Sequence, residues 1–532
     1  MNRLAGTGTL TALALRRDRL MLPAWVATFA LVNWFSAVAS KDIYPSEASL
    51  RRAAEGWNTT TALVALHGRI YDPTSLGSGA LVKMTGLGSA MVALLALLLV
   101  IRHTRADEEV GRTELAAGGA VGTWAPLTAA YLVSLGTVVA IGAVSALALA
   151  GAGLPVAGAL AFGAGWIGVG AVFAAVGAVA AQLSTSARSA RGLASAALGV
   201  AYVVRALGDT RPADGARWLS WLSPIGWEQQ VRPFAGDRWW ALLAPALAVP
   251  VLLGVAAAVL SRRDLGAGLL TERPGPSRGD RLVSPLALVW RLERAALLAW
   301  AVAAAVLGLV LGSIASTIDD LFDNEKFAEY LRLLGGVSRL EDAFLSTELG
   351  LVALMVSAFG ISAAQRMRSE EAQGRAEPLL ATGVSRTAYA GAHLVVALAG
   401  TALLLVVAGL SVGTAHAVAT GDAGQVGRVV GAALVRLPAV WVMTALVMAL
   451  FGVAGRLTPL AWVALVGVVV VGEFGPLMDL PSWTLDVSPF AHVPALPGAQ
   501  LTWSSLAVLT VVAAVLAVGG MAAFRRRDLE TD

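Results

Sequence analysis

A charged decapeptide is present twice in this chain. The first copy is Arg105-Ala-Asp107-Glu108-Glu109-Val110-Gly111-Arg112-Thr113-Glu114 and the second is Arg368-Ser-Glu370-Glu371-Ala-Gln-Gly374-Arg375-Ala-Glu377. Both fit one pattern: Arg, any residue, an acid, Glu, two residues of any kind, Gly, Arg, any residue, Glu. Read as helix, Arg105, Glu108 and Arg112 are spaced i, i+3, i+7, as are Arg368, Glu371 and Arg375, so each copy predicts an alternating charge stripe on one face. Such pairs stabilise a short helix by only about 0.2–0.5 kcal/mol each, so helix stability does not account for the pattern. Gly111 and Gly374 are expected to weaken or end the helix towards its C-terminal side. A single copy reads as a solvated loop anchoring two membrane spans; two copies of one spacing read as docking elements for a repeated partner surface.

Other chemistry is sparse. The lysines are Lys41, Lys83 and Lys326, and none follows a glycine, so the Gly-Lys-Ser/Thr core of a phosphate-binding loop is missing from the chain. If ATP powers this protein, a separate subunit binds it. The histidines, His67, His103, His393, His416 and His492, have no metal-ligand spacing. No serine, histidine and acid cluster with a nucleophile elbow is present. Cysteine is absent, which removes disulfides, thiolate metal sites and cysteine nucleophiles together. Proton or sodium coupling needs ionisable groups at membrane depth; the best such candidate is Glu473, beside Gly475-Pro476, and an end residue in contact with water is the plainer reading of it. The sequence therefore predicts no catalytic residue, no metal site and no cofactor in this chain, and it leaves the substrate-binding residues open.

The elements that must carry the two decapeptides are apolar. The chain has 532 residues, of which 57% are hydrophobic and 14% charged, with a mean hydropathy of +0.72; this is more apolar surface than a soluble core can hide. A net charge of +4 might point to nucleic acid, but the arginines stand in short clusters between apolar runs, as the positive-inside rule requires. Nucleic acid is therefore not an expected partner; the lipid bilayer is.

Spans are expected at Leu22–Ser40, Leu81–Ile101, Trp124–Ala150, Val156–Leu183, Gly192–Leu207 and Ala241–Leu260, after an amphipathic segment over residues 1–21. Between the first two spans, Lys41–Ser78 is expected to hold one or two short helices outside the membrane, and Gly208–Trp240 is an aromatic, proline-bearing external segment. A polar, Pro- and Gly-rich linker at 271–281 divides a first half, 1–270, from a second half, 282–532. The order then recurs: an interfacial segment to Arg294, spans near 297–315 and 349–364, the second decapeptide, a hairpin near 388–455, a span near 459–473, an external loop and a last span near 504–523. Polar landmarks recur with it. Arg16, Asp18, Arg19 and Trp25 match Arg291, Glu293, Arg294 and Trp300; Ser223-Pro224 matches Ser488-Pro489; Arg262-Arg263-Asp264-Leu265 matches Arg526-Arg527-Asp528-Leu529. The fold class expected is an all-α polytopic membrane protein of about 12 spans, built as two parallel six-helix repeats. The distribution of arginine places both termini and both decapeptides in the cytoplasm.

On the form Glu-Glu-x-Gly-Arg-x-Glu-Leu, seen as Glu108 to Leu115 and more loosely as Glu370 to Leu379, the chain resembles the membrane subunit of ABC-2 type exporters. The likeness is to the large fused permeases of actinobacterial polyketide-antibiotic (tetronasin-type) and multidrug exporters, and it covers essentially the whole chain. Gln373 and Pro378 are where the second copy departs from the form. The resemblance implies elbow helices before the first span of each half, and coupling helices seated in nucleotide-binding subunits. It assigns ATPase docking to Arg105, Glu108, Gly111, Arg112 and Glu114, and to Arg368, Glu371, Gly374, Arg375 and Glu377. It further implies two copies of a separate ABC ATPase carrying ATP and Mg, an amphipathic small-molecule substrate moved outward, and a location in the plasma membrane. An ion-coupled secondary transporter of two six-helix bundles is the alternative, since that class also uses parallel repeats.

Overall fold

A helix that leaves a long apolar stripe uncovered needs an apolar solvent. Leu243, Leu247, Val251 and Val255 recur every four residues on one helix with their side chains exposed, and Val508, Val511, Val515 and Val518 recur at intervals of three and four on another, also exposed. The computed structural model describes residues 2–119, 121–211, 217–264, 266–269, 279, 282–315, 340–474 and 482–529. Among them every regular element is helical, and eleven helices are long and apolar enough to cross a membrane. The chain divides into two compact units, Met1–Gly275 and Pro276–Asp532.

In the first unit α1 (Thr7–Arg17) precedes the first span, α2 (Met21–Ile43). Two short helices follow, α3 (Glu47–Thr59) and α4 (Thr61–His67). The second span is α5 (Leu76–Lys83), a π-helical turn at Met84–Gly88 and α6 (Ser89–Arg102) in one run, starting earlier than the expected Leu81. The first decapeptide forms α7 (Arg105–Glu109) and α8 (Arg112–Ala117). The third to fifth spans are α9 (Ala125–Gly151), α10 (Val156–Leu183) and α11 (Ala187–Asp209). A short helix, α12 (Pro224–Gln230), leads to the sixth, α13 (Leu243–Leu260).

The second unit contains α14 (Pro285–Ala315), α15 (Leu340–Ala372), α16 (Ala376–Leu380), α17 (Arg386–Thr420), α18 (Gly424–Leu434), α19 (Leu437–Val453), α20 (Leu460–Phe474), α21 (Ser482–Asp486) and α22 (Trp503–Arg526). Three expectations change here. The interfacial segment to Arg294 is not a separate element: it runs unbroken into the span as α14, whereas α1 and α2 are separated by a turn at residues 18–20. The span expected near 349 begins by Leu340. The span near 459–473 is α20, a helix of 15 residues, about 22 Å at the usual rise and shorter than a bilayer core. The linker at 271–281, apart from residue 279, lies outside the described residues, as do Gly475-Pro476, the first part of the second external segment, and the side chain of Glu473.

Close helix approach is secured by small residues, as in other membrane bundles. Gly142 of α9 and Gly163 of α10 face each other: a Cβ on either would stand 2.6 or 2.5 Å from the other's carbonyl oxygen. In the second unit α19 and α22 also approach closely: a Cβ on Gly452 would meet the Gly520 carbonyl oxygen, and one on Gly520 the Met448 carbonyl oxygen.

Candidate coupling site

Both decapeptides fold as a helix end, a left-handed glycine and a new short helix. Gly111 has φ 72° and Gly374 φ 66°, values a side chain resists and glycine accepts. The glycine N–H donates back to the helix in each case, Gly111 to the Glu108 carbonyl at 3.1 Å and Gly374 to the Glu371 carbonyl at 2.9 Å, the usual device for ending a helix. The continuous stripe expected from i, i+3, i+7 spacing is therefore not formed. The Arg105–Glu108 half of it exists, at 3.3 Å, but the break turns Arg112 away, and its guanidinium bonds Asp107 instead, at 2.9 Å. Arg375 likewise bonds Glu370, at 2.7 and 3.1 Å, and that carboxylate raises the Arg375 pKa from its ordinary value.

The conserved spacing of the two copies thus separates two roles among the acids. The first acid, Asp107 or Glu370, closes the turn on the arginine after the glycine. The second, Glu108 or Glu371, points inward. Glu108 accepts a two-pronged bond from Arg263, Nη1 to Oε1 at 2.7 Å and Nη2 to Oε2 at 3.0 Å, and a further bond from the Gly266 N–H. Glu371 accepts the same fork from Arg527, Nη1 to Oε1 at 2.8 Å and Nη2 to Oε2 at 2.7 Å. Their side chains are only 7% and 1% exposed. Planar guanidinium matches carboxylate geometry in this way, and shielding from water strengthens the bond.

A second tie runs to the segment before the first span. Asp18, buried, accepts from Arg102 Nη2 and pairs with His103 Nε2, both at 2.8 Å; its counterpart Glu293 pairs with Arg366 Nη1 at 2.9 Å. Arg17 adds a contact to Asp107 at 2.8 Å. The position of Arg17 is taken by Leu292 in the second unit if the Asp18–Glu293 match is extended by one residue.

These contacts divide the ten expected docking residues. Arg105 is buried, donating to the carbonyls of Ala181 at 2.9 Å and Ala267 at 3.0 Å, and Glu108 and Glu371 are enclosed as described. Arg368 is half-buried, and Gly111 and Gly374 shape the turn. The side chains that face outward are Arg112, Glu114, Arg375 and Glu377. Beside them stand two apolar residues outside the set, Val110 at 62% and Leu115 at 83% exposed. At the same positions of the second copy stand Gln373 and Pro378, also exposed. The second copy therefore lacks the exposed Val and Leu side chains that the first copy carries at these two positions.

The structure also shows a buried acid that the sequence did not reveal. Glu228 on α12 is folded back into the first unit, 2% exposed, against Gly165 of α10, and neither carboxylate oxygen has a hydrogen-bond partner. Burial drives its pKa well above the ordinary carboxylate range, and Arg205 offsets this only in part. The signal lay in Ser223-Pro224, an N-cap and first-turn proline: Ser223 Oγ accepts from the N–H of Ile225 at 3.2 Å and of Gly226 at 3.5 Å. Among the described residues no group of three or more His, Asp and Glu is placed to hold a metal ion.

Comparison with known proteins bears on the whole chain. Residues 282–525 match the family described as multidrug efflux system permease Rv1217c, C-terminal domain. Over 528 residues the chain is 43% identical to the multidrug efflux system permease protein Rv1217c of Mycobacterium tuberculosis (strain ATCC 25618 / H37Rv), covering 98% of this chain and 95% of that one. The chain belongs to this family of multidrug efflux permeases. As a permease it is an integral membrane transport subunit, in keeping with the eleven candidate spans among the described residues.

Proposed function

We propose that this permease is the membrane half of an ATP-driven exporter of ABC-2 type. Two copies of a separate ATPase subunit hold ATP and Mg, and each seats on one coupling turn from the cytoplasm. The chain lies in the plasma membrane with both termini inside and passes amphipathic, antibiotic-like compounds outward. The observation that carries this reading is the repeated turn, which presents Arg112 and Glu114 in one unit and Arg375 and Glu377 in the other on short helices braced from behind by buried ion pairs. Absence of a Gly-Lys-Ser/Thr sequence anywhere in the chain supports a partner as the site of ATP hydrolysis, and the printed name of the Mycobacterium tuberculosis relative supports drug efflux as the task.

Co-purification with the partner ATPase tests it. Replacing Arg112, Glu114, Arg375 and Glu377 together by Ala is expected to weaken assembly by at least about tenfold while the permease itself still elutes as a folded species. Unchanged assembly refutes the docking assignment. A second reading, ion-coupled transport, draws on Glu228, a carboxyl of the kind proton relays use. Transport driven by a proton gradient without nucleotide, and abolished by Glu228→Gln, would establish that reading against the first.

A further inference from the structure

We propose that Arg263 and Arg527 are positioning residues that deliver the displacement of each coupling turn to the last span of the same unit; this rests on the docking reading above. Three ends meet at each arginine. Arg263 stands three residues beyond the end of α13, and Arg527 follows directly on α22. Its guanidinium grips the inward glutamate of the coupling turn at the end of the second span, Glu108 or Glu371, by the same pairing of Nη1 with Oε1 and Nη2 with Oε2 in both units. Its third nitrogen, Nε, donates to the end of the fourth span: to Gln182 Oε1 at 2.8 Å on α10, and to the Phe451 carbonyl at 3.1 Å on α19.

The rest of each last span is packed chiefly on that fourth span, α13 on α10 and α22 on α19. The charged fork is therefore a direct tie between the end of the last span and the coupling turn. It is stiff, because two parallel bonds fix orientation as well as distance, and it is shielded, with Arg263 and Arg527 side chains largely buried. Arg527 is further held over the rings of Phe451 and Phe524, at 4.7 and 5.2 Å. A push on either turn moves a glutamate that cannot slide past its arginine, so the last span is drawn with it. Two sequence landmarks that recur for no evident local reason, the Glu of the decapeptide and the Arg-Arg-Asp-Leu after each last span, are the two halves of one joint.

The chain has no cysteine, so a single Leu243→Cys, at the exposed start of α13, can carry an environment-sensitive fluorophore in the full complex with the partner ATPase. In the parent, trapping with ATP and vanadate is expected to change its emission. In Arg263→Gln, compared with the parent at ATPase concentrations that saturate assembly, the emission change per ATP hydrolysed should fall about fivefold or more. Arg263→Lys, which keeps the charge and loses the fork, should fall between. The exchange Glu108→Arg with Arg263→Glu should restore the signal in part. An undiminished emission change in Arg263→Gln overturns the proposal, as does a loss in which assembly, hydrolysis and emission fall in step without rescue by the exchange. If the parent permease itself does not assemble with the ATPase, the docking reading has failed, and the proposal falls with it for a different and visible reason.

Discussion

The reciprocal approach of Gly142 and Gly163 yields a sharp prediction because α9 also carries a glycine in open space. A Cβ on Gly142 would lie 2.6 Å from the Gly163 carbonyl oxygen, whereas one on Gly136 meets nothing within 4 Å. Carbon–oxygen contacts between packed helices settle near 3.3–3.6 Å, so Gly142→Ala forces the backbones apart by roughly 0.7 Å. Overpacking of this kind costs about 1–3 kcal/mol. Gly136→Ala meets no clash and gains up to about 1 kcal/mol of helix propensity. At roughly 2–4 °C per kcal/mol for a unit of this size, the first should lower the thermal midpoint by about 2–12 °C and the second should hold or raise it. Size-exclusion profiles of the detergent-solubilised permease after graded heating measure both. Equal midpoints for the two variants would refute the argument that backbone contact between α9 and α10 holds the first unit together.

Glu228 gives a pH signature. Its folded pKa lies above the ordinary 4.5, so its contribution to stability is present below that value and is lost as pH rises towards the folded one, at up to about 1.4 kcal/mol per unit. Glu228→Gln should therefore raise the thermal midpoint at pH 8, with the gain shrinking by pH 5; a difference independent of pH would show that the acid is not held neutral. The exposed tips of the coupling turns should be unequal. Val110→Ser with Leu115→Ser is expected to weaken ATPase assembly several-fold more than Gln373→Ser with Pro378→Ser, since the first pair removes more exposed apolar area, about 25 cal/mol per Å²; equal losses in a binding titration would count against it.

What the sequence disclosed was local in character. Val156–Leu183 was readable to the residue because an apolar run and its flanking breakers are contiguous, and the two decapeptides were readable because their charges are close neighbours. The charge stripe was misread for a local reason too: Gly111 and Gly374 take left-handed backbone, and a helix cannot continue through them. The joints could not be read, since Glu108 and Arg263 are 155 residues apart and nothing in either segment specifies the other. Both had been recognised as repeat landmarks, yet recurrence reports that a residue matters without reporting what it touches. Glu228 was lost for the opposite reason. Its segment is short, aromatic and bounded by proline, which suits an external loop, and only tertiary packing turns it inward.

The contrast between Val110 and Leu115 on one turn and Gln373 and Pro378 on the other has a consequence for inheritance. In a transporter assembled from two identical half-chains, one codon change alters both docking faces at once, so neither can be adjusted without the other. Here each face has its own codons. The inward joint has kept the same atoms on both sides, while the outward tips have already drifted apart. On the proposed docking reading, a permease built this way is free to address each partner subunit with different chemistry, and to give the two different tasks in one cycle.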